Sequence, residues 1–320
     1  MHLSSKPPIF LAALAALLLQ TLFAQDKQPN ATFRSDTRLV VLHASVADGR
    51  GRLLTDLKQS AFKVYENDIE QPIKRFLRED IPVSLALVID NSGSMRDKRK
   101  KVESAALALV KASNPRDEVT IVNFNDEAFQ DVLFTNDVKK LEEGLTRIDS
   151  RGGTAMRDAI SMTIDYMMEK AKHEKKVLLV ITDGNDTASN GTLEKLVAKA
   201  RQSEVLLYMI GLLSEEEKRE AKKAKRALET LAEASGGSAT FPKESAEVEK
   251  VALDIAGEIR NQYLIAYTPT AQALDGSFRR IKVAVNASGR PVARTRSGYF
   301  AAPDQPVKKS TEVSQAAPTK

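Results

Sequence analysis

The chain has no cysteine, no tryptophan and only three histidines among its 320 residues. Without cysteine there is no disulfide and no thiol for lipid attachment, so an exported form rests on its core alone, or on metal. Without tryptophan no indole can stack on a sugar or a base. The histidines are His2, His43 and His173. None neighbours a candidate nucleophile, which argues against a Ser/His/Asp hydrolase. No P-loop or dinucleotide fingerprint occurs, and no G-x-S-x-G elbow surrounds Ser92. Zinc-finger spacing, RNP-like aromatic patterns and long Lys/Arg blocks are missing too. The net charge of +5 is a mild excess, so nucleic acid is not indicated as a partner.

What is present is an ordinary core-forming composition, 42% hydrophobic and 28% charged. Residues 1–24 read as a signal peptide: Lys6, then the apolar run IFLAALAALLL, then a cleavage site before Gln25. The run is shorter than the roughly 20 residues a membrane span needs. No later segment is long and apolar enough to cross. Export to the periplasm or the extracellular space is therefore the expectation.

Residues 25–36 read as a polar linker. Residues 37–80 form an N-terminal β segment, with turn signals at Asp48-Gly49 and Asn67-Asp68 between alternating apolar runs, the second of them reaching to Leu57. From residue 81 the pattern changes. Apolar runs at 83–89, 119–124, 177–182 and 205–211 predict buried strands, and AFQDVLF (128–134) predicts another. Between them lie helix patterns, one burying Val102, Ala105, Ala106, Leu109 and Val110. A charge-dense helix follows, read with a Ser214–Glu217 capping box, an Ala/Leu inner face, a solvated outer face and an end at Gly236-Gly237. Continuous strands alternating with amphipathic helices predict an α/β fold, a mostly parallel sheet covered on both faces. Residues 243–300 return to helix and C-terminal β texture, and this β segment is a candidate to pair with residues 37–80 in a small sandwich. Residues 301–320 read as a disordered tail.

In such a sheet ligands bind beyond the carboxyl ends of the strands. Asp90 ends the run VSLALVID, and Ser92 and Ser94 follow at alternate positions, with Gly93 giving the backbone room to turn. Asp183 follows VLLVIT directly, and Thr154 lies in the glycine turn RGGTAMRD. All five are oxygen donors. Such a set suits Mg²⁺, with Mn²⁺ or Ca²⁺ as alternatives, rather than Zn²⁺ or Cu²⁺. With few carboxylates and several neutral hydroxyls, the metal keeps electrophilicity for an anionic sixth ligand.

Asp90-x-Ser92-x-Ser94, Thr154 in Gly-Gly-Thr and Asp183 in Thr-Asp-Gly together resemble the metal-ion-dependent adhesion site of von Willebrand factor type A domains. The resemblance covers roughly residues 81–242. The flanks DLKQSAFKVYENDIEQPIKRF, RNQYLIAYTP, DGSFRRIKVAV and RSGYF resemble the exported VWFA-related proteins known from Acidobacteria. The resemblance implies a Rossmann-like α/β domain flanked by the N- and C-terminal β segments. It implies direct metal contacts from Ser92, Ser94 and Thr154, and contacts largely through water from Asp90 and Asp183. Asn91 stands where Thr, Val or Leu is commoner, at a position that is not a ligand. Asn185 and Asp186 lie on the same rim and read as bystanders.

The implied function is a non-enzymatic protein-binding module whose metal is completed by an Asp or Glu carboxylate of a protein partner. The alternatives are a structural or assembly protein with a vestigial or purely stabilising site, and a metal-dependent hydrolase. RDKRKK (96–101) has two readings, a solvated helix start and a basic patch that steers acidic partners. Five cations at a helix N-terminus oppose the helix dipole.

Overall fold

The structure, a computed structural model, describes residues 39–78, 80–146, 150–184, 186–213 and 217–301. The signal-peptide and linker segments, Ser214 of the expected capping box and all but residue 301 of the tail lie outside these; the helix expected there begins at Lys218 with Glu217, not Ser214, at its N-cap.

The central layer is a six-stranded sheet in the order β10-β9-β8-β5-β6-β7. The strands are β5 (Val83–Asp90), β6 (Glu118–Phe124), β7 (Ala128–Thr135), β8 (Lys175–Thr182), β9 (Val205–Gly211) and β10 (Ala239–Thr240). Only the β6–β7 pairing is antiparallel. Every residue of β5, β6 and β9 is buried, as a parallel sheet covered on both faces requires. On edge strand β7, burial alternates instead.

Helices α1 (Arg99–Lys111), α2 (Val138–Thr146), α3 (Met156–Lys170), α4 (Leu193–Gln202), α5 (Lys218–Ser235) and α6 (Val248–Arg260) cover the sheet. On one face, α1 packs with the buried Val102, Ala105, Ala106, Leu109 and Val110, the set read from its periodicity. Val248, Ala252, Ile255 and Ile259 of α6 complete that core. The α/β layer therefore runs on through α6 to Arg260, past the boundary at residue 242 read from the sequence. The other face buries Met156, Ala159, Ile160, Ile164 and Met167 of α3, with α4 and α5 beside them. Helix α5 ends at Gly236, whose φ of 92° is the left-handed cap glycine tolerates.

Two further four-stranded sheets have the orders β13-β1-β11-β4 and β14-β12-β2-β3. They are built from β1 (Val40–Ala47), β2 (Phe62–Glu66), β3 (Ile69–Gln71), β4 (Ile73–Leu77), β11 (Tyr263–Tyr267), β12 (Phe278–Val285), β13 (Val292–Arg294) and β14 (Gly298–Phe300). Strands from the two ends of the described chain pair directly: Val40 sits opposite Tyr267, and Glu66 opposite Ile281. Their shared core holds Leu42, Val64, Tyr263, Ile265 and Tyr267. Asn67 and Asp68 both take positive φ in the β2–β3 turn, as a tight hairpin demands.

One expected strand is absent. After the Asp48-Gly49 turn the chain makes only an isolated bridge, Ala47 to Leu53. The Tyr263 hydroxyl supplies other partners there, donating to the Leu54 carbonyl and accepting from the Leu57 amide, both at 2.9 Å.

The sandwich is tied to the α/β layer by a polar cluster around Glu258 of α6. Its Oε1 accepts from Ser45 of β1 and Tyr208 of β9, each at 2.8 Å, and from Arg294 of β13. The buried Gln262 donates to the Ser45 and Tyr208 hydroxyls, both at 3.1 Å.

Candidate metal centre

Three loops leave the carboxyl edge of the central sheet and bond to one another. The first follows β5. Asp90 is its last residue, 1% exposed, and the Asp90 carboxylate organises the turn. Oδ1 accepts the Ser92 amide at 2.8 Å, and Oδ2 accepts the Thr182 hydroxyl of β8 at 2.5 Å. A single 3₁₀ turn, Gly93–Met95, then drops the Met95 side chain into the core. That anchor leaves Ser92 and Ser94 side by side, their hydroxyls 3.1 Å apart.

The second loop follows β8. Asp183 is fully buried. Its Oδ1 accepts the Ser94 hydroxyl at 2.9 Å. Asp90, Ser92, Ser94 and Asp183 are therefore joined in one hydrogen-bonded chain.

The third loop is the glycine turn before α3. Gly152 has φ +78°, and a Cβ there would run into the Asp126 carboxylate. Asp126 in turn accepts the Gly153 amide at 2.7 Å. The Arg151 amide donates to the Asn91 carbonyl at 2.9 Å, and the Gly93 amide to the Gly152 carbonyl at 3.1 Å. Thr154 follows, 6% exposed. Its amide donates to the Thr187 hydroxyl at 3.0 Å, and its carbonyl accepts the Thr187 and Ala188 amides. The Thr154 side chain itself is not bonded to the other four residues.

The non-ligand Asn91 and the bystander Asp186 each have structural work. The Asn91 side-chain amide donates to Asn123 at 2.5 Å. Asp186 accepts the Arg157 amide at 2.7 Å, the Arg157 guanidinium at 3.0 Å and the Ser189 hydroxyl at 2.7 Å. Asn185 lies outside the described residues.

One residue escaped the sequence reading. Lys98, taken there as part of a surface patch, is 7% exposed. Its Nζ lies 2.7 Å from Asp183 Oδ2, and both side chains are buried. Neither the solvated nor the steering reading of RDKRKK holds for it. Arg96, Asp97, Lys100 and Lys101 are exposed as expected. The available signal was weak: a lysine in the turn that follows a strand-end Asp-x-Ser-x-Ser motif.

Charge decides what the site can hold. Two buried carboxylates face one buried ammonium, leaving a deficit of positive charge. Burial pushes the Asp90 carboxyl up to about 6. The hydrogen bonds from Ser92 and Thr182 oppose that rise, and the Asp183 charge adds to it. Among the described residues no cluster of three His, Cys, Asp or Glu side chains is placed to hold a metal. A metal here would depend on hydroxyls, which Ser92, Ser94 and Thr154 supply. An all-oxygen set with two carboxylates fits a hard divalent cation that keeps some water.

The profile of the von Willebrand factor type A domain matches residues 84–254. Among solved structures, the chain resembles a von Willebrand factor type A protein from Catenulispora acidiphila at 12% identity and TM-score 0.48, covering 83% of this chain and 75% of that one. It resembles an aerotolerance-related membrane protein from Bacteroides fragilis NCTC 9343 at 19% identity and TM-score 0.44, covering 55% and 98%. It also resembles the von Willebrand factor domain of the type V pili tip protein Mfa5 from Porphyromonas gingivalis at 13% identity and TM-score 0.45, covering 56% and 97%. No curated protein matches.

Proposed function

Because this chain belongs to the von Willebrand factor type A domain family, whose domains are typical of adhesion and protein-interaction modules, we propose that its strand-end rim is a metal-ion-dependent adhesion site. The protein is a non-enzymatic, exported binding module. Its site binds Mg²⁺ through Ser92, Ser94 and Thr154, with Asp90 and Asp183 completing the shell largely through water. A partner's Asp or Glu carboxylate takes the remaining position.

The hydrogen-bonded chain Asp90–Ser92–Ser94–Asp183 across the ends of β5 and β8 is the observation that carries this reading. Charge supports it. With Lys98 beside Asp183, a divalent cation would leave the site net positive, and that excess favours a carboxylate over a neutral ligand. The three hydroxyls withdraw little of the metal's charge.

Lys98 favours a second reading as well. An ammonium already neutralises Asp183, so the site could be stable without metal and serve structure alone. One experiment separates the two. The mature chain from Gln25 and its Thr154→Ala variant are immobilised and exposed to candidate partners in Mg²⁺, then washed with chelator. An adhesion site retains a partner in Mg²⁺, releases it in chelator and fails in the variant. Retention indifferent to both would establish the structural reading.

A further inference from the structure

We propose that a basic groove beside the metal rim is a second contact surface, and that it takes an acidic polypeptide segment bearing apolar side chains. The proposal rests on the binding-module reading and extends it from one carboxylate to a stretch of the partner.

The groove, of about 510 Å³, lies between α5, the start of α3 and the loop after β8. Its volume is that of a ligand site. Arg219, Lys222, Lys223 and Arg226 line it from α5. Their spacing puts them on one helical stripe, and all four are exposed. Arg157 joins them from α3. Among the described residues Asp186 is the one carboxylate in the lining, and Arg157 and Ser189 already satisfy it. On α5 itself Glu220 reaches Lys223 only at 3.9 Å, between exposed side chains, a contact of little strength.

Arg219 lies in the first turn of α5, where the helix dipole opposes a cation, and Lys222 and Lys223 follow in the second. Their mutual repulsion is unfavourable in the free protein and is relieved by an anionic occupant.

The floor selects among anions. It is apolar, made by Met156, Leu193, Ala224 and Ala227. Among the described residues no lining side chain is aromatic, so there bases find no stacking platform. An acidic peptide with apolar side chains matches both the wall and the floor.

The groove and the rim share a wall. Gly184 and Asp186 line the groove, and Asp183 immediately precedes them at the rim. Thr187 of the same loop accepts the Thr154 amide. A segment lying in the groove therefore runs along the loop that carries Asp183.

The test is fluorescence anisotropy with a labelled short peptide of Asp and Glu residues interrupted by leucines. The same peptide with serine for leucine, and a single-stranded oligonucleotide, serve as comparisons. Each is titrated with the parent chain and with the Arg219→Glu/Lys222→Glu/Arg226→Glu variant, in Mg²⁺ and in chelator. Circular dichroism and light scattering check fold and self-association. The expected result is that the leucine peptide binds the parent best and that charge reversal weakens it about tenfold or more, with a flatter salt dependence. Equal binding by the reversed variant, no peptide binding by the parent, or tighter binding of the oligonucleotide overturns the groove. So does a dimer of the parent that the reversal dissociates, since a second copy would then be the occupant. Binding that needs Arg219, Lys222 and Arg226 but ignores chelator keeps the groove and sinks the metal reading. Binding that needs Mg²⁺ but ignores the reversal does the opposite.

Discussion

Replacing Lys98 with Met tests the electrostatics of the rim most severely. The substitution keeps the length and apolar stem of the side chain and removes its charge. The ammonium lies 2.7 Å from Asp183 Oδ2 with both groups buried. At an effective dielectric constant of about 20, that separation corresponds to about 6 kcal/mol of attraction. Deleting the ammonium also returns its own desolvation cost. The net loss expected for breaking a buried pair on one side is about 3–5 kcal/mol. Two buried carboxylates, Asp90 and Asp183, would then share one site with no described cation on them. Thermal unfolding in chelator should show the loss as a fall of about 10 °C in Tm. Magnesium should reverse much of it. A ligand at a hundred times its Kd stabilises the folded state by about 2.7 kcal/mol, and the variant should bind Mg²⁺ more tightly than the parent. A variant that melts with the parent in chelator would refute the ion pair's role. A deficit of the same size with and without Mg²⁺ would refute the claim that ammonium and metal answer the same charge.

Three other substitutions probe the scaffold. Burial, with the charges of Lys175, Arg296 and Lys176, pulls the His43 imidazole down to about 3, so the folded state disfavours its protonation. Its contribution is complete above the unfolded pKa of about 6.5 and is lost as pH falls towards 3; His43→Gln should cancel about 2 kcal/mol of the stability difference between pH 7 and pH 5, read by urea unfolding. Glu258→Ala strands the half-exposed Arg294 and leaves Ser45 and Tyr208 without their acceptor at the junction with the sandwich, and should cost about 1–3 kcal/mol in the same assay. Gly152→Ala forces a Cβ into Asp126 at a positive φ, and should abolish Mg²⁺ binding measured calorimetrically while the far-UV spectrum is retained.

The elements that proved legible are those whose partners impose a simple pattern. Strands β5, β6, β8 and β9 are buried on both faces, so each shows as an unbroken apolar run. Helix α1 buries one face in a single core, so that face follows helical spacing residue for residue. Residues 53–57 misled because their three leucines suggest a strand, but the hydrogen-bonding partner there is not a strand. It is the Tyr263 hydroxyl, more than 200 positions away. Lys98 misled for a similar reason. Four exposed charges surround it in sequence, while its partner Asp183 is 85 residues further on. Asp126 is silent in the sequence because its task, bracing the turn at Gly152 and Gly153, exists only once β6 and α3 are assembled. Local spacing delivered the oxygen donors. The charge that balances them, and the carboxylate that holds their third loop, come from tertiary structure.

The most direct test of the central claim is calorimetric titration of Mg²⁺ into a chain begun at Gln25 and into its Thr154→Ala variant. The Thr154 side chain is not bonded to Asp90, Ser92, Ser94 or Asp183, so its removal should leave Tm nearly unchanged. The account predicts a single Mg²⁺ site in the parent and none in the variant. Equal binding by both chains, or none by the parent, would contradict it.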